Sequence, residues 1–555
     1  MSSAADVARP AGVGFLDREN TVAKAGFNRW LIPPCALAIH LCIGMAYGFS
    51  VFWLPLSRAI GISQPVACEG MTLATALFTT TCDWRVSDLL WMYTLFFVVL
   101  GTAAAIWGGW LERAGPRKAG LVAALCWCGG MVISAIGIYT HQLWLMWLGS
   151  GVIGGIGLGL GYISPVSTLI KWFPDRRGMA TGMAIMGFGG GAMIGSPLAD
   201  ILMRRFASAD GVGVWQTFLV LAAGYFVFMV AGALGYRVPP ENWRPAGWTP
   251  AAGGTKMIAT GDVHLKDAHK TPQFWLIWVV LLVNVTASIG LIGVASPMLQ
   301  EIFGGRLIGA AGTGFLDFTP EQRTAAAAVG AGFVGLVSLF NIGGRFFWAS
   351  FSDRLGRKVL YATILALGLV LYAAVVPFSA SSGSVFLFVA AFCIIASMYG
   401  GGFATVPAYL ADVFGTKFVG AIHGRLLTAW SLAGVFGGLI TGTIRDNNIA
   451  SGVPRDQVYQ PIFFTVAALL AVGFVANLLV RPVAQKWQMR EAAKGAAPVG
   501  TAPATVAAAA PAPAFGDYGI GRGGFTGPAI LAWVVVGLPL LWGVFITLQK
   551  AAALF

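Results

Sequence analysis

Thirteen apolar runs, each long enough to cross a bilayer, alternate with short polar breaks along this chain. A hydrocarbon core about 30 Å thick takes roughly 20 helical residues to span. Inside it every backbone group must be bonded within the segment, so such runs are read as helices. The pattern predicts helices near residues 30–56, 87–110, 117–139, 142–170, 178–203 and 214–236. A second set falls near 272–299, 325–351, 357–377, 384–413, 419–444 and 459–481, and a last helix near 528–548. The breaks divide the chain into a cytoplasmic tail (1–27), a six-helix bundle (28–236) and a cytoplasmic linker (237–271) with prolines and both signs of charge. A second six-helix bundle (272–485), an Ala/Pro-rich linker (486–526) and one additional transmembrane helix (527–550) follow. The expected fold class is an all-α polytopic membrane protein.

The polar breaks also show that the bundles are copies. Gly108–Lys118 reads GGWLERAGPRK and Ala349–Lys358 reads ASFSDRLGRK. Glu112 and Asp353 lie 241 positions apart, as do Arg113 and Arg354, and Gly115 and Gly356. The same offset sets Tyr162–Pro174 on Phe403–Gly415. A repeat at that distance implies two homologous membrane halves. At depth the match stops: Arg345 falls opposite Ala104, and Trp430 opposite Gly189.

Composition removes the soluble alternative. Only 10% of the residues are charged and 57% are hydrophobic, against roughly 25% charged in soluble domains. The net charge of +13 calls for no nucleic acid, because the cations follow the loops. Arg113, Arg117, Lys118, Lys171, Arg176, Arg177, Arg354, Arg357, Lys358 and Lys417 all fall on one predicted side. Positive charge marks the cytoplasmic face, so the expectation is a multi-pass protein of the cell inner (plasma) membrane, with a cytoplasmic N-terminus and the lipid bilayer as partner. Cys68 and Cys82 share the first loop of the opposite face, where an oxidising compartment would pair them as a disulfide. No metal cluster, cofactor motif or phosphate loop is present. The run Gly155, Gly157, Gly159, Gly161 lies inside an apolar helix, not between a strand and a helix. With no nucleophile and base in a recognisable arrangement, the chain does not read as an enzyme.

The candidate chemistry centres on Arg345. It precedes Asp353 by eight residues, which at about 1.5 Å per residue sets it roughly 12 Å into the membrane. A guanidinium there must face a partner or a cavity. The acids Asp200, Glu301 and Asp412 all fall near predicted helix ends. A bound anion is then the natural partner, since arginine grips a carboxylate through two parallel hydrogen bonds. Asn341, one turn away, is placed to orient it. Tyr47, Tyr162, Tyr399 and Trp430 offer an amphipathic cage with hydroxyl and indole donors. For any one of them, helix packing is the plainer role. His40, near mid-membrane, is a proton carrier or a neutral side chain bonded to a neighbouring helix. Glu112, Arg113, Arg117, Asp353, Arg354 and Arg357 are read as gating residues that pair across the helix ends in one conformation and separate in the other.

The loop pattern G-x-x-x-(D/E)-R-x-G-x-(R/K) in both halves resembles that of the major facilitator superfamily, over roughly residues 28 to 485. Within it, the chain resembles the oxalate:formate antiporter family. The carrying segments are SVFWLPLS at Ser50–Ser57, GLGLGYISPVSTLIKWFPDRRGMATGMAIMGFGGGA at Gly157–Ala192, NIGGRFFWASFSDRLGR at Asn341–Arg357 and YGGGFATVPAYLADVFG at Tyr399–Gly415. The terminal helix, opening FTGPAILAW, resembles a small-subunit helix associated with such transporters, here fused. The resemblance implies a secondary active transporter working by alternating access, with a carboxylate-binding arginine at Arg345. In oxalate exchangers of this family a lysine on the eleventh helix adds a second positive charge. Here that position falls near Trp430, and the helix has no lysine. One buried cation suits a monocarboxylate such as formate, pyruvate or lactate, moved by exchange or with protons. The alternatives are an oxalate/formate exchanger proper and a non-transporting carboxylate sensor. The protein is expected to act as a monomer without a cofactor.

Overall fold

The computed structural model describes residues 14–551 apart from 25, 63–65, 241–242, 246–247, 249–258, 260 and 490–525. The start of the predicted tail, parts of the central linker and most of the Ala/Pro-rich linker lie outside the described residues. Thirteen helices among the described residues are long and apolar enough to cross a membrane. In the first half they are α1 (Arg29–Phe49), α2 (Trp91–Ala114), α3 (Pro116–Tyr139), α4 (Leu143–Trp172), α5 (Arg177–Phe206) and α6 (Val214–Gly235). In the second they are α7 (Pro272–Ile292), α8 (Gly332–Leu355), α9 (Arg357–Ser382), α10 (Val385–Phe414), α11 (Val419–Ala450) and α12 (Gln460–Leu479), with α13 at Gly527–Gln549.

The repeated loop is short because of its glycine. Gly115 and Gly356 end α2 and α8 at φ of 86° and 85°, a conformation only glycine adopts without strain. The chain then turns directly into α3 and α9. Two helices depart from the expected spans. Gly44–Phe52, at the end of α1, winds as a 3-10 helix where Gly44 and Gly48 press on α5 at Phe188 and Ser196. Beyond α7 a further helix, Ala295–Leu307, carries Glu301. Its polarity is absorbed by Arg445, whose guanidinium lies 2.6 Å from the Glu301 carboxylate, and by the Tyr459 hydroxyl.

The halves meet along α5 and α8, and along α2 and α11. Small residues let the backbones close in. Gly178 and Gly182 lie against the Ala349 and Arg345 carbonyls, while Gly424 lies against that of Ala104. The additional helix α13 packs on α1 and α5 of the first half and on α8 of the second. Leu540 and Leu41 both lie against Gly190, Val536 packs with Leu37 and Ala38, and Thr547 reaches Gly335. Its outer face, with Leu531, Leu538, Leu541 and Phe545, is exposed.

On the face away from the basic loops, Cys68 and Cys82 are joined as a disulfide. Asp83 accepts hydrogen bonds from the Ile60, Gly61 and Val66 amides. His141 stacks on Trp84 at 4.1 Å and bonds the Cys82 carbonyl at 2.8 Å.

Candidate functional site

Arg345 lies on α8, fully buried at the seam between the halves. Its Nε donates to Asn341 Oδ1 at 3.1 Å, and Asn341 Nδ2 donates in turn to the Ala396 carbonyl on α10 at 3.0 Å. Nη1 donates to the Ile185 carbonyl of α5 at 3.1 Å. Nη2 is buried with no hydrogen-bond partner. Space for the guanidinium comes from Gly189, where a Cβ would stand 3.4 Å from Nε. No acid forms an ion pair with Arg345 among the described residues. Burying arginine at the centre of a membrane helix costs about 2.5–3.5 kcal/mol on insertion scales, and no carboxylate among the described residues offsets it.

Other donors left open surround it. The hydroxyls of Tyr47, Tyr162 and Tyr399 and the indole N–H of Trp430 are buried without partners. Trp430 gathers the cage: its ring centroid lies 6.3 Å from Tyr47, 5.5 Å from Tyr162, 5.6 Å from Phe188 and 4.7 Å from Phe403. Open buried donors occur elsewhere in the molecule, but here several of them gather around one guanidinium, an arrangement suited to an acceptor. Sequence reasoning missed Phe188 and Phe403, whose rings lie 5.9 and 5.8 Å from the Arg345 Cζ. It also missed His423, whose buried Nδ1 has no partner and whose ring is 5.8 Å from Tyr162. One signal was available: Phe403 is the 241-offset partner of Tyr162.

His40 is placed differently from the other candidates. Its Nδ1 lies 2.6 Å from the Ala184 carbonyl and its Nε2 lies 3.1 Å from the Tyr162 carbonyl. No ring nitrogen remains for a substrate, so among the predicted ligands His40 borders the cage without reaching into it.

The basic loops tie the halves together at one end. Asp353 accepts from the Gly178 and Met179 amides at the start of α5, at 2.8 and 2.9 Å. It pairs with Arg357 at 2.6 Å. Arg357 also holds Asp412 at 3.1 Å, and Asp412 pairs across the halves with Arg177 at 2.8 Å. Glu112 does the converse: it accepts from the Gly420 amide at the start of α11 at 3.1 Å and pairs with Lys171 at 2.5 Å. Helix N-termini carry partial positive charge, which favours a carboxylate there. The remaining predicted gating residues are placed elsewhere. Arg113 and Arg354 are exposed and form no ion pair among the described residues. Arg117 bonds the Phe15 and Tyr236 carbonyls and stacks on Phe15, all within the first half. Next to the cage, Ser431 on α11 donates to the Phe97 carbonyl of α2 at 2.7 Å, a further contact between the halves. Tyr47 packs against Phe97 beside it.

Comparison with known proteins agrees with this architecture. The sequence pattern of the Major Facilitator Superfamily matches residues 36–438 and 317–553. The chain is 25% identical to the oxalate:formate antiporter of Oxalobacter formigenes, over 76% of this chain and 86% of that one. It is 24% identical to apicoplast pyruvate carrier 1 of Toxoplasma gondii, over 70% and 78%. In three dimensions it resembles the proton:xylose symporter XylE, with a TM-score of 0.55 and 13% identity over 81% of this chain and 96% of that one. The fucose:proton symporter FucP of E. coli gives 0.53 and 11% over 82% and 100%. These structural likenesses speak for the fold alone. With the superfamily pattern spanning most of its length, and two six-helix halves meeting around a buried site, the chain belongs to the Major Facilitator Superfamily.

Proposed function

We propose that this transporter carries small organic carboxylates by alternating access, with monocarboxylates favoured, and that Arg345 binds the carboxylate. The observation that carries the reading is the open Nη2 of Arg345 among the open donors of Tyr47, Tyr162, Tyr399 and Trp430. A carboxylate supplies negative charge and several acceptor lone pairs at once. The remainder of a small acid faces the rings of Phe188 and Phe403. The preference for one carboxylate over two follows from charge: Trp430, fully buried, stands where a second cation would be needed. The relatives named for oxalate with formate, and for pyruvate, support this substrate class. In this reading the basic-loop face and the N-terminus are cytoplasmic, and the end closed by Asp353 and Glu112 is the inner gate.

The test is counterflow in proteoliposomes with a panel of acids. Formate, pyruvate or lactate should accelerate exchange and compete better than oxalate. Arg345→Ala should cut transport at least about 100-fold, as for truncating one partner of a buried charge contact. Wild-type rates in that variant would remove the site. Strong oxalate preference in the unaltered protein would favour the exchanger reading instead.

A further inference from the structure

We propose that His40 is the proton-binding site of this transporter, and that it takes its proton together with the carboxylate held by Arg345. The inference rests on the carboxylate reading above and extends it to the coupling ion.

Both ring nitrogens of His40 face backbone carbonyl oxygens, Ala184 O at 2.6 Å and Tyr162 O at 3.1 Å. A carbonyl oxygen only accepts. A neutral imidazole has one N–H, so its second nitrogen would turn a lone pair toward an oxygen lone pair. The imidazolium donates through both nitrogens and satisfies both contacts. The pocket therefore has the donor–acceptor pattern of the charged form.

Charge sets when that form is reached. Burial of the ring opposes the charged form first; Arg345 opposes it further, with Phe188 between the two side chains. Its ring centroid is 6.4 Å from the His40 ring and 5.9 Å from the guanidinium. From α4, Tyr162 stacks on His40 at 5.3 Å. From α11, His423 faces the other side of that tyrosine. The neighbouring titratable groups of α1 are the thiols Cys35 and Cys42, and those of α6 are Tyr225 and Tyr236. From α5 and α13 none comes to this depth, their charged residues lying at the helix ends. No carboxylate of the protein pairs with His40 among the described residues.

A second cation beside an unpaired guanidinium in a dry site is strongly opposed. A carboxylate bound on Arg345 cancels the first charge and removes that part of the opposition, leaving the burial cost to be offset by the two carbonyl contacts. Proton and anion binding then favour each other, and by linkage the effect is reciprocal. The loaded site carries anion, proton and arginine together. The empty site keeps His40 neutral. The balance is simple: one carboxylate and one proton enter from one side, and both leave on the other.

The test uses the full-length protein and lactate as probe. In weakly buffered detergent solution, adding lactate to the protein should draw about one proton from solvent per lactate bound, read with a pH indicator dye. In proteoliposomes, an inward proton gradient should drive lactate accumulation and acidify the lumen. His40→Gln should lose at least tenfold in gradient-driven accumulation, and the lactate counterflow that persists should no longer vary with pH. Lactate binding without proton uptake in the unaltered protein would overturn the proposal, whatever the variant does. Gradient-driven accumulation surviving in His40→Gln would overturn it as well. Failure of the parent reading looks different: neither formate, pyruvate nor lactate would support counterflow in the unaltered protein.

Discussion

The two halves agree at their ends and disagree at their centres. At the basic-loop end each half sends one carboxylate, Asp353 or Glu112, onto the first amides of a helix in the other half. These positions are equivalent by the 241-residue offset, and so are Met179 and Gly420, whose amides they hold. At mid-membrane the equivalence is gone. Arg345 has Ala104 as its counterpart, and Trp430 has Gly189. Gly189 is also the residue whose missing side chain makes room for the guanidinium. Duplicated positions make the matching contacts between the halves at that end. Diverged positions form the proposed binding site, where a monocarboxylate calls for one charge.

This contrast can be broken in graded ways. Asp353 accepts two amides and joins the Arg357–Asp412–Arg177 network, while Glu112 accepts one amide, the Ser167 hydroxyl and one lysine, with no ion-pair network beyond it among the described residues. On the proposed reading, Asp353→Asn should therefore favour opening at this end more than Glu112→Gln. The expected changes in exchange rate are about tenfold and about fivefold, within the usual span of conformational couplings. Equal effects would mean that the network adds nothing to the shared helix-end contact. Trp430→Lys should sharpen the central asymmetry by adding a second cation to the second half. Oxalate competition against lactate should rise about fivefold in that variant. No change would show that Trp430 does not face the substrate.

The smallest expected effect concerns His141, which packs on the disulfide-closed loop of the first half. Burial holds the His141 imidazole below its ordinary value, although the Cys82 carbonyl and Asp83 pull the other way. Unfolding exposes the ring, which then takes up a proton near pH 6.5. The unfolded state thus binds more protons below that pH, so loop stability is full above it and is lost as pH falls. The apparent melting temperature should drop by a few degrees between pH 7.5 and 5.5. His141→Asn should flatten the dependence, since asparagine tolerates the positive φ of 51° found there. The equivalent position in the second half is Ser382, so an undiminished slope in His141→Asn would place the titrating group elsewhere.

Much of this was written in the sequence, for identifiable reasons. The spans were legible because hydropathy and backbone satisfaction act locally. The depth of Arg345 was legible because Asp353 marks the end of the same helix, and Asn341 because four residues return to the same face. The cage was nominated but not assembled: its rings come from α1, α4, α5, α10 and α11, and their meeting depends on how each helix is rotated. The Arg177–Asp412 pair joins residues 235 positions apart and left no local signal. Glu301 looked like a helix end because an acid usually stops an apolar run. It continues a helix here because Arg445 and Tyr459 neutralise it.

The thirteenth helix has a consequence of stoichiometry. Its inner face touches α1 and α5 on one side of the seam and α8 on the other. A separate small subunit with the same contacts would occupy this groove according to its abundance and its affinity. Joined through residues 486–526, it docks as an intramolecular event, at an effective concentration that expression level and dilution in the membrane do not alter. Every copy of the transporter therefore carries one such helix across the seam, and any influence it exerts on the packing of α5 against α8 belongs to the chain itself.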